Sequence, residues 1–334
     1  MKEKVLIIGG AGFIGHNLAL KLKNENYEVL VVDSLSVNNY YSLKKNKKHP
    51  LKNFYLNVLN ERRRLLKKNK IKIVIKDARN YHVMSSLVVK YNPDYIFHLA
   101  AVAHANVSNK DPFSTFDHSM RTLENLLDIS RNIKKLKNFV YLSSSLVYGQ
   151  FKKKIVNEKT ICDPLGIYGS LKYGAEKLVI GYHQVFNLPY TIIRPSALYG
   201  PRCVSGRVLQ LFIENLIAGK KIKVNGDGKE RLDFTYIDDF THGLYCVLKN
   251  KKAINQIFNL TFGRSRSIID AIKILKKYFP KMKIDYIPRD KLLPFRGTLS
   301  INKSKKLIKY KPKFNLERGI YNYVNWYLKK KIKK

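Results

Sequence analysis

The sequence lacks any run of about 18 consecutive apolar residues, the length a helix needs to cross a bilayer. Its first residues also lack the basic, then apolar, then small-residue layout of an export signal. A cytoplasmic protein with no membrane partner is therefore expected. Cysteine is scarce: Cys162, Cys203 and Cys246 stand far apart, with no Cys-x-x-Cys pair and no histidine at ligand spacing. Neither a disulfide framework nor a zinc site follows, and no metal is expected. Carboxylates are few as well, 24 against 64 lysines and arginines, for a net charge of +40. Such a charge would suit a polyanion. The lysines, however, run along the whole chain rather than gathering on one tail or helix, and no nucleic-acid motif sits among them. They read as solvated faces, and no nucleic-acid partner is expected.

What the chain has is an alternation. Its 334 residues, 45% of them hydrophobic, suffice for one large or two moderate globular units. Apolar runs rich in β-branched and aromatic residues occur at "KVLIIGG", "YEVLVVD" (27–33), "KIVIKD" (72–77), "DYIFHLAA" (94–101), "NFVYLSS" (138–144) and "YTIIRP" (190–195). Helical patterns separate them, among them residues 13–23 and 168–186. Strand-helix alternation predicts an α/β fold, a Rossmann-type doubly wound parallel sheet with helices on both faces. After Pro195 the rhythm changes to scattered helices and short strands, which predicts a smaller C-terminal α/β lobe for substrate. The expected division is 1–195 as the dinucleotide-binding domain with a return at about 236–262, and 196–235 with 263–334 as the second lobe. Residues 34–71, rich in Lys and Asn and containing "NERRRLLKKNK", break the alternation and read as an inserted basic helix on a solvated excursion.

The first strand ends in "LIIGGAGFIG", where Gly9, Gly10, Gly12 and Gly15 satisfy two overlapping glycine spacings. Glycine serves the unusual dihedrals of the turn, the close approach of a pyrophosphate and tight helix-strand packing. The following helix N-terminus offers unpaired N–H groups to the phosphates. The second strand ends at Asp33, the distance at which an acid binds the adenosine ribose hydroxyls. A carboxylate there would repel a 2′-phosphate, so NAD is favoured over NADP. Asp77, at another strand end, is suited to an adenine contact or to capping the strand.

In "IYGSLKYGAEK" (167–177), Tyr168 and Lys172 are four residues apart and share a helix face. A neighbouring ammonium lowers a phenol's pKa, making Tyr168 a candidate general base. Ser143, Ser144 and Ser145 lie at the carboxyl end of a strand, where open α/β sheets bind ligands.

"GGAGFIG", Asp33, "HLAA" (98–101), "SSSLVYG" (143–149), "YGSLK" (168–172), "RPSALYGPR" (194–202) and "RLDFTYIDD" (231–239) together resemble the extended short-chain dehydrogenase/reductase family, in its NAD-dependent nucleotide-sugar epimerase and dehydratase branch, UDP-glucose 4-epimerases included. The resemblance covers nearly the whole chain. It implies an NAD held throughout turnover by Gly9, Gly12, Phe13, Ile14, Gly15, Asp33, Asp77, Ala78, Leu99, Ala100, Ala101, Tyr168, Lys172 and Pro195. It also implies a nucleoside-diphosphate sugar between the lobes. Tyr168 resembles the family base, Lys172 the residue that binds the nicotinamide ribose, and Ser144 their hydroxyl partner. Arg231 resembles the arginine that grips the substrate diphosphate; Ser145, Arg207, Val208 and Arg296 fall near substrate-lining positions. Relatives pair through helices that include the one bearing Tyr168, so a homodimer is implied, with Leu178, Val179, Tyr182 and Val185 available for the contact.

By analogy Tyr168 would take the proton of the sugar 4-hydroxyl, and a transient 4-ketose would return as the 4-epimer. Family dehydratases usually carry Asp-Glu after the catalytic hydroxyl residue; here Ser145 and Leu146 stand there, and leucine cannot transfer a proton. Epimerase is preferred over dehydratase or reductase. A non-catalytic nucleotide- or polyanion-binding protein is the alternative of another class. Two departures, His118 for asparagine and Ala197 for the asparagine of "R-x-F-N", leave the sugar open. "NNYY" (38–41) resembles a feature of uronate-sugar epimerases without naming the sugar.

Overall fold

The computed structural model describes residues 2–37, 39–45, 50–290 and 292–330; Asn38 of "NNYY" lies outside them. Seven parallel strands form the central sheet: β1 (Lys4–Ile8), β2 (Glu28–Asp33), β3 (Lys72–Ile75), β4 (Tyr95–His98), β5 (Asn138–Leu142), β6 (Tyr190–Arg194) and β7 (Gln256–Asn259). Their order across the sheet is β3-β2-β1-β4-β5-β6-β7. The connection reverses direction beside β1, which pairs with β2 on one side and β4 on the other, Ile8 facing Val32 and His98. A crevice opens at that reversal, outside the carboxyl ends of the strands, and it positions the site. Helices cover both faces, so β4, β5 and β6 are buried throughout. That explains runs without polar alternation. Leu6 and Ile7, both fully buried, each contribute roughly 2 kcal/mol.

After β6 the chain leaves the sheet, builds part of a second layer, and returns through the helix Ile237–Lys249, which packs on the first helix (Phe13–Asn24), and through β7. The second layer has its own core, in which Phe212, Ile213, Leu275, Ile320 and Tyr323 meet. Ile222–Asn225 pairs in parallel with Ile284–Ile287 there, and Arg231–Leu232 runs antiparallel to Arg266–Ser267.

The inserted helix does form, over Lys52–Lys68, but it is no solvated excursion. Tyr55, Val58, Leu59, Arg62 and Leu66 are buried along one face. The Tyr55 hydroxyl donates to Glu214 at 2.6 Å, and Phe54 stacks on Tyr327, both partners belonging to the second layer. Arg64, Lys67 and Lys68 are exposed on the opposite face, while the buried face, Arg62 included, bridges the two layers.

Candidate active site

The glycine loop is shaped by close approach. Gly9 has φ +77°, and a Cβ there would meet the Ala100 nitrogen at 2.8 Å, so a side chain is excluded twice over. Asp33 closes the loop: one carboxylate oxygen accepts from the Ala11 N–H at 2.9 Å and the other from the Leu35 N–H at 2.7 Å. Burial raises the Asp33 pKa while these two N–H groups hold it down.

Loop, ribose-side acid and neighbouring strand ends wall one cleft of about 990 Å³, its open mouth included. Gly9, Gly12, Phe13, Ile14, Gly15, Asp33, Asp77, Ala78, Leu99, Ala100 and Ala101, all named from sequence, line it. So does Arg207. A cradle that a Cβ would fill, ending on an acid for the ribose, fits a dinucleotide. Asp77 is engaged with Arg79, Oδ2 to Nη2 at 2.6 Å, which lowers its pKa.

Tyr168, Lys172, Ser144 and Ser145 adjoin this cleft without walling it. Ser144 ends the loop after β5; its hydroxyl accepts from the Leu146 N–H at 3.2 Å and acts on the nearby Tyr168 phenol, lowering its pKa. The Ser145 N–H donates to the Pro195 carbonyl at 2.9 Å, so Pro195 supports this loop from β6. Lys172, 7% exposed, donates to the Leu142 carbonyl at 2.7 Å, and its ammonium lies 4.9 Å from the Tyr141 ring centroid.

One electrostatic expectation needs correction. The Tyr168 pKa is raised, because burial outweighs the two groups that lower it, the Arg207 guanidinium and the Ser144 hydrogen bond. Lys172 is not among those groups. Its ammonium is turned to the Leu142 carbonyl, and burial, opposed by Glu176, lowers its own pKa to about 7. Of the cations nearby, Arg207 is the one that lowers the phenol's pKa.

The other residues expected to touch substrate lie apart from the cleft wall. Arg231 donates to the Ser265 carbonyl at 2.6 Å and to its hydroxyl at 3.1 Å. Arg296 pairs with Glu230 at 3.0 Å, next to Arg231 in sequence. Val208 is the first residue of the helix Val208–Ile217 in the second layer. Sequence reasoning missed Arg62, Asn39, Lys76 and Ser205, all of which line the cleft. His118, noted only as a departure, lines it too. For Arg62 a signal existed: it shares the helical face of Tyr55, Val58, Leu59 and Leu66, a slot that periodicity reserves for buried residues.

A glycine cradle at the reversal of a parallel sheet, adjoined by a serine, a tyrosine and a lysine from two neighbouring strand-helix units, defines a dinucleotide-dependent enzyme of the short-chain dehydrogenase/reductase class. More narrowly, the model of the NAD dependent epimerase/dehydratase family matches residues 5–261, and the chain belongs to that family. It is 31% identical over 323 residues to a UDP-glucuronate 4-epimerase of Thermodesulfobacterium geofontis, covering 96% of this chain and 95% of the relative. The UDP-glucuronic acid 4-epimerase of Bacillus cereus, solved with UDP-glucuronic acid and NAD, superposes with a TM-score of 0.84 at 29% identity, over 98% of this chain and 99% of that one. The UDP-glucose 4-epimerase of Thermotoga maritima, solved with UDP-glucose, gives 0.85 at 26% identity and the same coverage.

Proposed function

We propose that the protein is an NAD-dependent nucleotide-sugar epimerase that inverts carbon 4 of a nucleoside-diphosphate hexose or hexuronate. The observation that carries this reading is the Tyr168 phenol, its pKa lowered by Ser144 and by the Arg207 charge, beside a cleft built for a dinucleotide. Tyr168 removes the proton of the 4-hydroxyl and later returns it. Ser144 fixes the direction of that proton transfer, and Arg207 stabilises the phenolate while it lasts. Bound NAD supplies a reversible two-electron acceptor for carbon 4. The resulting 4-ketose must turn over in the site before it is reduced from its other face. Leu146 follows Ser144 and Ser145 without an acid to eliminate water, which supports epimerisation over dehydration.

The test is direct. Incubated with UDP-glucuronate, UDP-glucose and other nucleotide sugars without added cofactor, the purified protein should interconvert one pair of 4-epimers, followed by NMR. Accumulation of a 4-keto-6-deoxy sugar would replace epimerase by dehydratase, and no turnover of any sugar would remove the enzyme reading.

We place the enzyme in the cytoplasm, in carbohydrate biosynthesis; among the described residues no helix is long and apolar enough to cross a membrane. We also read it as a homodimer. Leu178, Val179 and Tyr182 pack on the protein's own core, whereas Val185 is 70% exposed and Phe113 85%, on elements that neighbour one another. These apolar side chains suit a second copy. Light scattering should give twice 38.8 kDa; a single-chain mass refutes the pairing.

A further inference from the structure

Arg62 occupies the buried face of the inserted helix and lines the cleft beside Asp33, although it is only 2% exposed. Its Nε and Nη2 donate to the Arg202 carbonyl at 3.1 and 2.5 Å, and among the described residues Nη1 has no protein acceptor. The link continues to the glycine loop. Arg202 donates through Nε to His16 Nε2 at 3.0 Å and through Nη2 to Asn17 Oδ1 at 3.0 Å. His16 Nδ1 in turn donates to the Gly12 carbonyl at 2.8 Å. That pattern assigns the neutral imidazole, and burial together with the two arginines keeps the His16 pKa well below its usual value.

The charges do not balance. Two guanidiniums stand behind the phosphate loop. Asp33 acts on Arg62 only through space, and Glu61 and Asp238 act on Arg202 in the same way. Arg62 has no carboxylate within ion-pair distance among the described residues, and burial lowers its pKa to about 10. A buried guanidinium whose only hydrogen-bonded partner is a carbonyl is costly unless an anion completes its shell.

We propose that Arg62 is a diphosphate-binding residue of the cofactor cleft, supplied by the inserted helix and held in place by the Arg202 carbonyl. The proposal rests on a dinucleotide occupying that cleft. The anion it serves is a phosphate of the dinucleotide, matched by a planar donor at the wall rather than by a lysine. Because the same helix is anchored to the second layer through Tyr55 and Glu214, the residue also ties cofactor retention to the seating of that layer.

The experiment titrates NAD, ADP and adenosine into the full-length protein, its Arg62→Met and Arg62→Lys variants and a Tyr55→Phe control, with calorimetry as the readout. Arg62→Met should weaken NAD and ADP by about 10- to 100-fold and adenosine by less than about twofold. Arg62→Lys should fall between, and it keeps the test available if the methionine variant does not fold. Tyr55→Phe, which loosens the helix without touching the cleft, should leave the preference for ADP over adenosine intact. Equal loss of all three ligands in the Arg62 variants, or loss of none, overturns the proposal. A parent protein that binds none of the three overturns the dinucleotide reading as well, and is told apart by that control alone.

Discussion

Replacing Tyr168 by phenylalanine should lower kcat by about a thousandfold, the middle of the range expected for losing a positioned general base. NAD affinity should fall far less than the rate, because the glycine loop and Asp33 are untouched. The pH profile should separate this cause from a general disturbance. Burial raises the Tyr168 pKa, so the phenol is protonated at neutrality and only its ionised form accepts a proton. The rate of the unmodified enzyme should therefore climb as pH rises above neutral, and the phenylalanine variant should lose that limb. Arg207 and Ser144 both lower this pKa, so their removal should move the limb further toward alkaline pH. Steady-state rates between pH 6 and 10 decide the matter. A phenylalanine variant that keeps the rate, or a rising limb that survives in it, would show that another group carries the proton.

The second large effect lies beneath the site. Glu176, one helical turn beyond Lys172, pairs with Arg194 through two contacts of 2.9 and 2.6 Å and also accepts from the Ser143 hydroxyl. Glu176 and Arg194 are 1% and 2% exposed. Removing one partner of such a pair strands the other without solvent, so Glu176→Ala should cost about 3–5 kcal/mol of unfolding free energy. The double variant Glu176→Met with Arg194→Met should recover much of that loss, because it leaves no charge behind. Urea unfolding measures both. A single variant within about 1 kcal/mol of the parent would mean that water reaches Arg194 and that the pair does not lock the Tyr168 helix to β6.

The parts of this architecture that were legible in the sequence are those written in local patterns. β1, β2 and β4 to β6 show as apolar runs because a sheet covered on both faces removes any need for polar alternation. The glycine loop and Asp33 show because close approach admits few residues, and Tyr168 and Lys172 show because helical spacing places them on one face. What spacing cannot supply is the direction of a long side chain. Lys172 shares the face of Tyr168, yet its ammonium is spent on Leu142, a contact across 30 residues that no periodicity encodes. Arg62 meets Arg202 across 140 residues. Its helix reads as solvated because the run of positive charge dominates its composition, while the buried stripe runs through Tyr55, Val58 and Leu59. The partners of Arg231 and Arg296 were hidden in the same way, since Ser265 and Glu230 carry no motif of their own.

The late arrival of β7 has a consequence for how the molecule is made. During synthesis β6 emerges first, and its outer neighbour, Gln256–Asn259, follows some sixty residues later. Until then the outer edge of β6, paired only with β5 on its other side, presents unpaired main-chain groups, a template for intermolecular pairing. Ribosome-stalled or prematurely terminated products ending shortly after Pro195 would accordingly be the aggregation-prone species, and chaperone demand should drop once Asn259 has cleared the exit tunnel.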